Sequence, residues 1–163
     1  NNKFLKNYLG LAENYIEQGL PKEALDVYKQ AIKSHPKQTS LYLTAGDFCL
    51  KHNLFQDAEA LFTSAIGINE NHIHLYNQLG IALRKQKKFK DAIANYAKAL
   101  EIKADDPNLQ FNQAKAYYFD GDEPKAINIL NKAFDLNPEL IAKFGEDKSF
   151  SKLIEDNPDK FNF

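Results

Sequence analysis

The chain contains no methionine and no tryptophan, and its 163 residues include one cysteine, Cys49. A single cysteine excludes an internal disulfide and any metal site built from several thiolates. The missing first methionine leads to the expectation that this is an excerpt or a processed form of a longer protein. An excess of either charge is also lacking, since 21 basic residues stand against 22 acidic ones and the net charge is −1. That balance gives no support to nucleic acid or an anionic membrane as the main partner. No apolar run approaches the roughly 18 residues that a membrane span needs, so no membrane insertion is expected. The first seven residues lack the charged and apolar regions of a signal peptide. Compartment therefore stays open, with the cytoplasm as the default expectation. What the chain does have is 44% apolar residues, with eight Tyr and twelve Phe, which suits a packed core and not a disordered chain.

Those residues recur with a period. Alanine stands at Ala24, Ala58, Ala92 and Ala126, 34 residues apart each time, and again seven residues on at Ala31, Ala65, Ala99 and Ala133. Twelve residues before the first series stand Ala12, Gly46, Gly80 and Ala114, all small. Sixteen before stand Tyr8, Tyr42, Tyr76 and Gln110; nine before stand Tyr15, Cys49, Leu83 and Tyr117. Four after come Tyr28, Phe62, Tyr96 and Leu130. Small residues let two helices approach closely, and the larger residues fill the space around that contact. Apolar positions such as Ile93, Tyr96, Ala97 and Leu100 follow helical spacing. Pro36 and Pro138 close the first and last units. The period predicts four helix-turn-helix units over 5–38, 39–72, 73–106 and 107–140, with turns near Gly19-Leu20-Pro21, His52-Asn53-Leu54, Gln86-Lys87-Lys88 and Gly121-Asp122.

Residues 139–163 break the register. They predict a short helix from about Glu139 to Phe144 and another around Ser149 to Glu155. Phe144, Phe150, Leu153 and Ile154 are placed to cover the apolar edge of the last hairpin, which makes 141–163 a cap. The alternative is a partner-binding tail ending in Phe161 and Phe163.

On these columns the chain resembles the tetratricopeptide repeat family. Unit one carries Tyr8, Leu11-Ala12, Tyr15, Ala24, Tyr28, Ala31 and Pro36, matching that family's pattern in type throughout. Unit three carries Tyr76, Leu79-Gly80, Leu83, Ala92, Tyr96 and Ala99. Unit four departs most, with Gln110 and Gln113 where an aromatic and a leucine are usual, so its first helix is expected to pack less well. The resemblance implies an all-α, right-handed superhelical solenoid of four repeats with C-terminal capping helices, forming one domain.

It also implies a concave groove lined by the first helix of each unit. The groove columns read Lys6, Leu9, Glu13, Ile16 and Glu17, then Ser40, Leu43, Asp47, Leu50 and Lys51. They continue as His74, Asn77, Ile81, Arg84 and Lys85, then Asn108, Phe111, Lys115, Tyr118 and Phe119, with Asn112 beside Phe111. Acidic Glu13, Glu17 and Asp47 gather toward the first two units; basic Arg84, Lys85 and Lys115 gather toward the last two. Aromatic and Arg side chains dominate interface energies. A peptide or helix is therefore expected in the groove, its acidic or C-terminal group toward units three and four. The plainer reading is surface charge with hairpin packing, some of the aromatics serving the cap.

Some members of the family clamp the C-terminal carboxylate of chaperone tails. The corresponding positions here are Leu9, Glu13, Thr44, His74 and Gln78, or Leu43, Asp47, Gln78, Asn108 and Asn112. Neither set matches, and Glu13 or Asp47 repels a carboxylate. The run from Arg84 to Lys90 reads as a solvated hairpin turn, not as a nucleic-acid patch. No phosphate-binding glycine loop or zinc motif occurs. Cys49 and His52 lie three apart, but Cys49 fills a core column. His72 and His74 point different ways on a helix. The expectation is a non-enzymatic scaffold or adaptor that binds a protein or peptide without cofactor or metal. A regulatory or substrate-positioning domain of a larger enzyme or signalling protein is the alternative, and self-association is a further possibility.

Overall fold

In a computed structural model of the chain, four residues spaced 34 apart adopt left-handed backbone: Gly19, Asn53, Lys87 and Gly121, with φ of 72°, 60°, 62° and 92°. The next residue then donates its N–H to the carbonyl five residues back. Leu20 bonds Tyr15 at 2.9 Å, Leu54 bonds Cys49 at 2.8 Å, and Lys88 bonds Leu83 and Asp122 bonds Tyr117 at 2.9 Å each. This bond ends a helix and turns the chain back. The column thus sets where each hairpin reverses.

The structure describes the backbone of residues 2–161 and, within it, every side chain except those of 2–6, 143, 144, 149 and 150. Hairpins form from α1 (Asn2–Glu17) with α2 (Pro21–Ser34), and from α3 (Thr39–Lys51) with α4 (Phe55–Ile68). They continue as α5 (Ile73–Lys85) with α6 (Phe89–Ile102), and α7 (Pro107–Asp120) with α8 (Glu123–Leu136). Two short helices follow, α9 (Leu140–Glu146) and α10 (Lys148–Asp156), then a 3-10 turn over Pro158–Lys160. The architecture is all-α, with no strand among the described residues. Both terminal helices extend slightly past their expected ends. Backbone contacts divide the chain into two compact units, Asn1–Gln78 and Leu79–Phe163.

In the first unit Ala24, Ala31, Ala58 and Ala65 are at most 1% exposed. Ala12 and Gly46 are buried beside them. The Tyr28 ring meets Phe48 at 5.2 Å, joining α2 to α3. Helices α2, α3 and α4 have no side-chain N-cap bond. Helices of 13 or 14 residues are marginal alone, so this packing is what holds them.

The second unit repeats the arrangement, with Ala92, Ala99, Ala126 and Ala133 fully buried. Here α7 and α8 do carry caps. Asp106 accepts from the backbone N–H of Asn108 and Leu109 at 3.1 and 3.2 Å, and Asp122 accepts from that of Lys125 at 3.2 Å. Gln110 keeps the bond of its column through Nε2, while its Oε1 is buried without a hydrogen-bond partner among the described residues. Gln110 Nε2 donates to the Ala104 carbonyl at 3.1 Å, six residues back. In the first unit Tyr42, from the same column, donates its hydroxyl to Pro36 in the same way at 2.9 Å. The amide thus reproduces the bond of the missing ring. Gln113 is itself buried, alongside Leu109 and Phe111.

The C-terminal helices cap the second unit. Leu140, Leu153 and Phe161 are buried in one cluster with Leu130 and Phe134, and Ile154 packs against it. Phe161 meets the Phe134 ring at 6.4 Å, and Asn131 Nδ2 holds the Lys160 carbonyl at 2.9 Å. Phe161 is therefore core, which overturns its reading as part of a free binding tail. The expected roles of the Phe144, Phe150 and Phe163 side chains lie outside the described residues.

Close packing in the hairpins is tightest at the glycines. A Cβ added to Gly80 would lie 2.6 Å from Tyr96 Cε1 and 2.7 Å from its Cζ, and Tyr96 is fully buried. Gly46 faces the Phe62 ring in the same way. Overpacking costs about 1–3 kcal/mol, while replacing Gly by Ala within a helix returns about 1 kcal/mol. Gly80→Ala is expected to destabilise the fold by up to ~2 kcal/mol in chemical denaturation. Unit four pairs Ala114 with Leu130 at these columns. The double variant G80A/Y96L should therefore cost less than the sum of its single changes.

Candidate functional site

Helices, one hairpin turn and one interhelix link of the second unit surround a cavity of about 360 Å³. Its lining is Arg84 and Lys85 from the last turn of α5, Lys87 from the α5–α6 turn, and Phe89 from the start of α6. Lys115 and Phe119 come from α7, and Asp147 from the link between α9 and α10. The Phe89 and Phe119 rings stack with centroids 6.0 Å apart and planes 24° apart. Tyr118 leans on Phe119 at 5.2 Å. The cavity thus offers four cations, an aromatic wall and a single carboxylate.

That carboxylate is engaged. Lys115 Nζ donates to Asp147 Oδ2, and the two side chains are 12% and 30% exposed. Burial pushes the Lys115 pKa below the usual lysine range, and neighbouring Arg84 and Lys85 push it the same way; Asp147 opposes them. Arg84 lies beside the Tyr96 hydroxyl deep in the core. Burial raises that hydroxyl's pKa to about 12 against the opposing pull of Arg84. The two are close, yet neither Tyr96 Oη nor Arg84 Nε completes a hydrogen bond of good geometry.

Of the expected groove residues, Arg84, Lys85, Lys115 and Phe119 meet at this cavity. Ile81, Asn112 and Tyr118 are half-buried and Asn108 is exposed, and none of the four lines it. Phe111 is a correction. It is 3% exposed and belongs to the same buried cluster as Leu153 and Phe161 of the cap, so it is closed to a ligand. In the first unit Leu9, Leu43, Asp47 and Asn77 are half-buried and Glu13 is exposed. Asp47 Oδ1 accepts from Gln78 Nε2, and Gln78 Oε1 accepts from Asn77 at 3.4 Å, so Asp47 is tied into a polar chain.

Sequence reasoning missed three lining residues. Lys87 and Phe89 were within the basic run read as a solvated turn. The available signal was that Lys87 occupies a column otherwise filled by Gly, Asn and Gly. Asp147 lies beyond the period and gave no signal.

Cys49 is fully buried, and burial raises its thiol pKa to about 12, with Asp57 adding to the shift and Lys29 opposing it. The His52 ring packs on Phe48 at 4.4 Å. Among the described residues no group of three or more His, Cys, Asp or Glu is placed to hold a metal ion. None of their helices is long and apolar enough to cross a membrane.

Two family models, both described as tetratricopeptide repeat, match residues 15–80 and 72–139. The chain belongs to the tetratricopeptide repeat family. Solved tetratricopeptide repeat structures share its fold. A MamA chain from Desulfovibrio magneticus RS-1 is 22% identical, with a TM-score of 0.76 over 95% of this chain and 86% of that one. YrrB, described as a TPR protein with an unusual peptide-binding site, is 24% identical, with a TM-score of 0.70 over 83% of this chain and 72% of that one. No curated protein matches the sequence significantly.

Within these tetratricopeptide repeats Lys87 stands out in conformation. A left-handed backbone costs a residue with a Cβ about 1–2 kcal/mol, whereas glycine adopts it freely at an entropic cost of about 0.5–1 kcal/mol. Lys87→Gly is therefore expected to stabilise the fold by ~0.5–1 kcal/mol. Thermal unfolding should show a midpoint about 2 °C higher. An unchanged or lower midpoint would show that Lys87 is not strained there.

Proposed function

We propose that this chain is a protein-interaction module whose second unit anchors an acidic side chain of a partner peptide in the Arg84–Lys85–Lys87–Lys115 pocket. The observation that carries the reading is the composition of that cavity. Four cations converge on it, two stacked rings wall it, and its one carboxylate is already paired with Lys115. Guanidinium and ammonium groups supply charge-assisted hydrogen bonds to a carboxylate. The half-buried rings supply contact area with little loss of conformational freedom. A cavity of about 360 Å³ is at the small end of ligand sites and suits one or two side chains of a longer segment.

Family membership supports a protein or peptide as the partner, and the peptide site ascribed to YrrB shows that a similar fold can be so used. The reading assigns binding and no catalysis. It also differs from the chaperone-tail clamp, because the cations here stand at other columns.

The test uses fluorescence anisotropy with a fluorescein-labelled oligoglutamate peptide and an uncharged control peptide. The acidic probe should bind more tightly than the control, and binding should weaken as salt is raised. Combining Arg84→Gln with Lys85→Glu should weaken the acidic probe by about tenfold or more, equivalent to about 1.4 kcal/mol. Lys85 is exposed, so that half of the change carries little folding cost. Equal affinity for both peptides, or an unchanged affinity in the double variant, would refute the proposal. So would tighter binding of an oligouridylate of the same charge.

A further inference from the structure

The pocket already contains a carboxylate, and it belongs to the capping segment. Asp147 lies in the one-residue link between α9 and α10, where its side chain reaches Lys115 on α7. Its neighbours differ from it in burial. Glu146 and Lys148 are exposed, while Asp147 is half-buried. The rest of the cap is held elsewhere, by Leu140, Leu153 and Phe161 in the apolar cluster. Asp147 is therefore the point at which an apolar cap enters a charged cavity. No packing requirement of the cluster calls for a carboxylate there.

We infer that Asp147 is a built-in competitor: the cap supplies an internal carboxylate that a partner's acidic side chain must displace from Lys115. This rests on the reading of the pocket as an acidic-peptide site and adds its regulation.

The electrostatics favour exchange over addition. Lys115 is largely desolvated and lies near Arg84 and Lys85, so it needs an anion beside it. Asp147 meets that need in the unbound chain. A second carboxylate entering while Asp147 stays would bring two anions close together. When the incoming group replaces Asp147, Lys115 remains paired throughout. The bond from the Ser151 N–H to the Asp147 carbonyl, at 2.8 Å, ties the side chain's position to the first turn of α10. Displacement thus loosens that turn, while the apolar anchors keep the cap in place.

The experiment measures affinity of the full chain for the labelled oligoglutamate probe and hydrogen exchange at the amides of residues 146–151. Asp147→Asn keeps the shape and removes the charge. It should tighten the probe by about five- to tenfold, because the competitor is gone. Asp120→Asn makes the same charge change at an exposed position of α7 and should tighten the probe by less than twofold. In the unmodified chain, saturating probe should accelerate exchange at 146–151 several-fold. Equal gains from D147N and D120N would show a general field effect and overturn the proposal. So would exchange that stays unchanged at saturation. If the probe binds the unmodified chain and R84Q/K85E weakens it while D147N has no effect, competition fails and the pocket reading stands. If the probe binds neither the unmodified chain nor D147N, both fail together.

Discussion

The structure depends on one constraint: the two helices of each hairpin must come close enough for small residues to be fully buried against a large one. Ala24, Ala58, Ala92 and Ala126 all reach zero exposure, and the residue four places on is at most 7% exposed. Short helices without side-chain caps cannot stand alone, so they exist because this contact exists. The left-handed turn column makes the contact possible. It ends the first helix and reverses the chain at the same step of every repeat. Variation is tolerated where the physical role survives, as when Gln110 takes over the carbonyl that a tyrosine hydroxyl holds elsewhere.

Not every cation at the pocket has the same standing. Arg84 and Lys85 occupy the last turn of α5, where positive charge complements the helix dipole. Their presence has a structural explanation. Lys87 has none, because it occupies a strained backbone position for which glycine or asparagine is better suited. Lys115 is costly in another way, being desolvated beside other cations. Strain and desolvation at two neighbouring positions oppose folding, and such costs tend to cluster at functional sites. That distinction separates this cavity from the solvated lysines expected of any hairpin turn.

The fold was legible because its determinants repeat. Alanine columns and turn residues each appear four times at a spacing of 34, so chance resemblance at one position did not matter. The lining of the candidate pocket was legible only where it coincided with those columns, at Arg84, Lys85, Lys115 and Phe119. Phe111 shares a groove column with Leu9, Leu43 and Asn77, yet it alone is buried, in one cluster with Leu153 and Phe161 of the cap. A column describes direction along a helix and cannot report what a later, non-periodic segment lays over it. The same reason hid Asp147, whose partner is 32 residues away in a segment with no register.

The cap therefore does two physically separate things. Its leucines and Phe161 remove the apolar edge that the last hairpin leaves open, a requirement of any finite repeat stack. Any apolar segment of suitable shape meets that requirement. Placing a carboxylate against Lys115 is not part of it, because the Ala114, Leu130 and Phe134 surface under the cap has no charge to neutralise. Lys115 itself creates the demand for Asp147. A chain with an apolar residue in place of Lys115 would avoid the desolvation of that cation. The pair is thus weak evidence for stability. It is better evidence that the cation at residue 115 is kept for a second anion, with Asp147 holding its place.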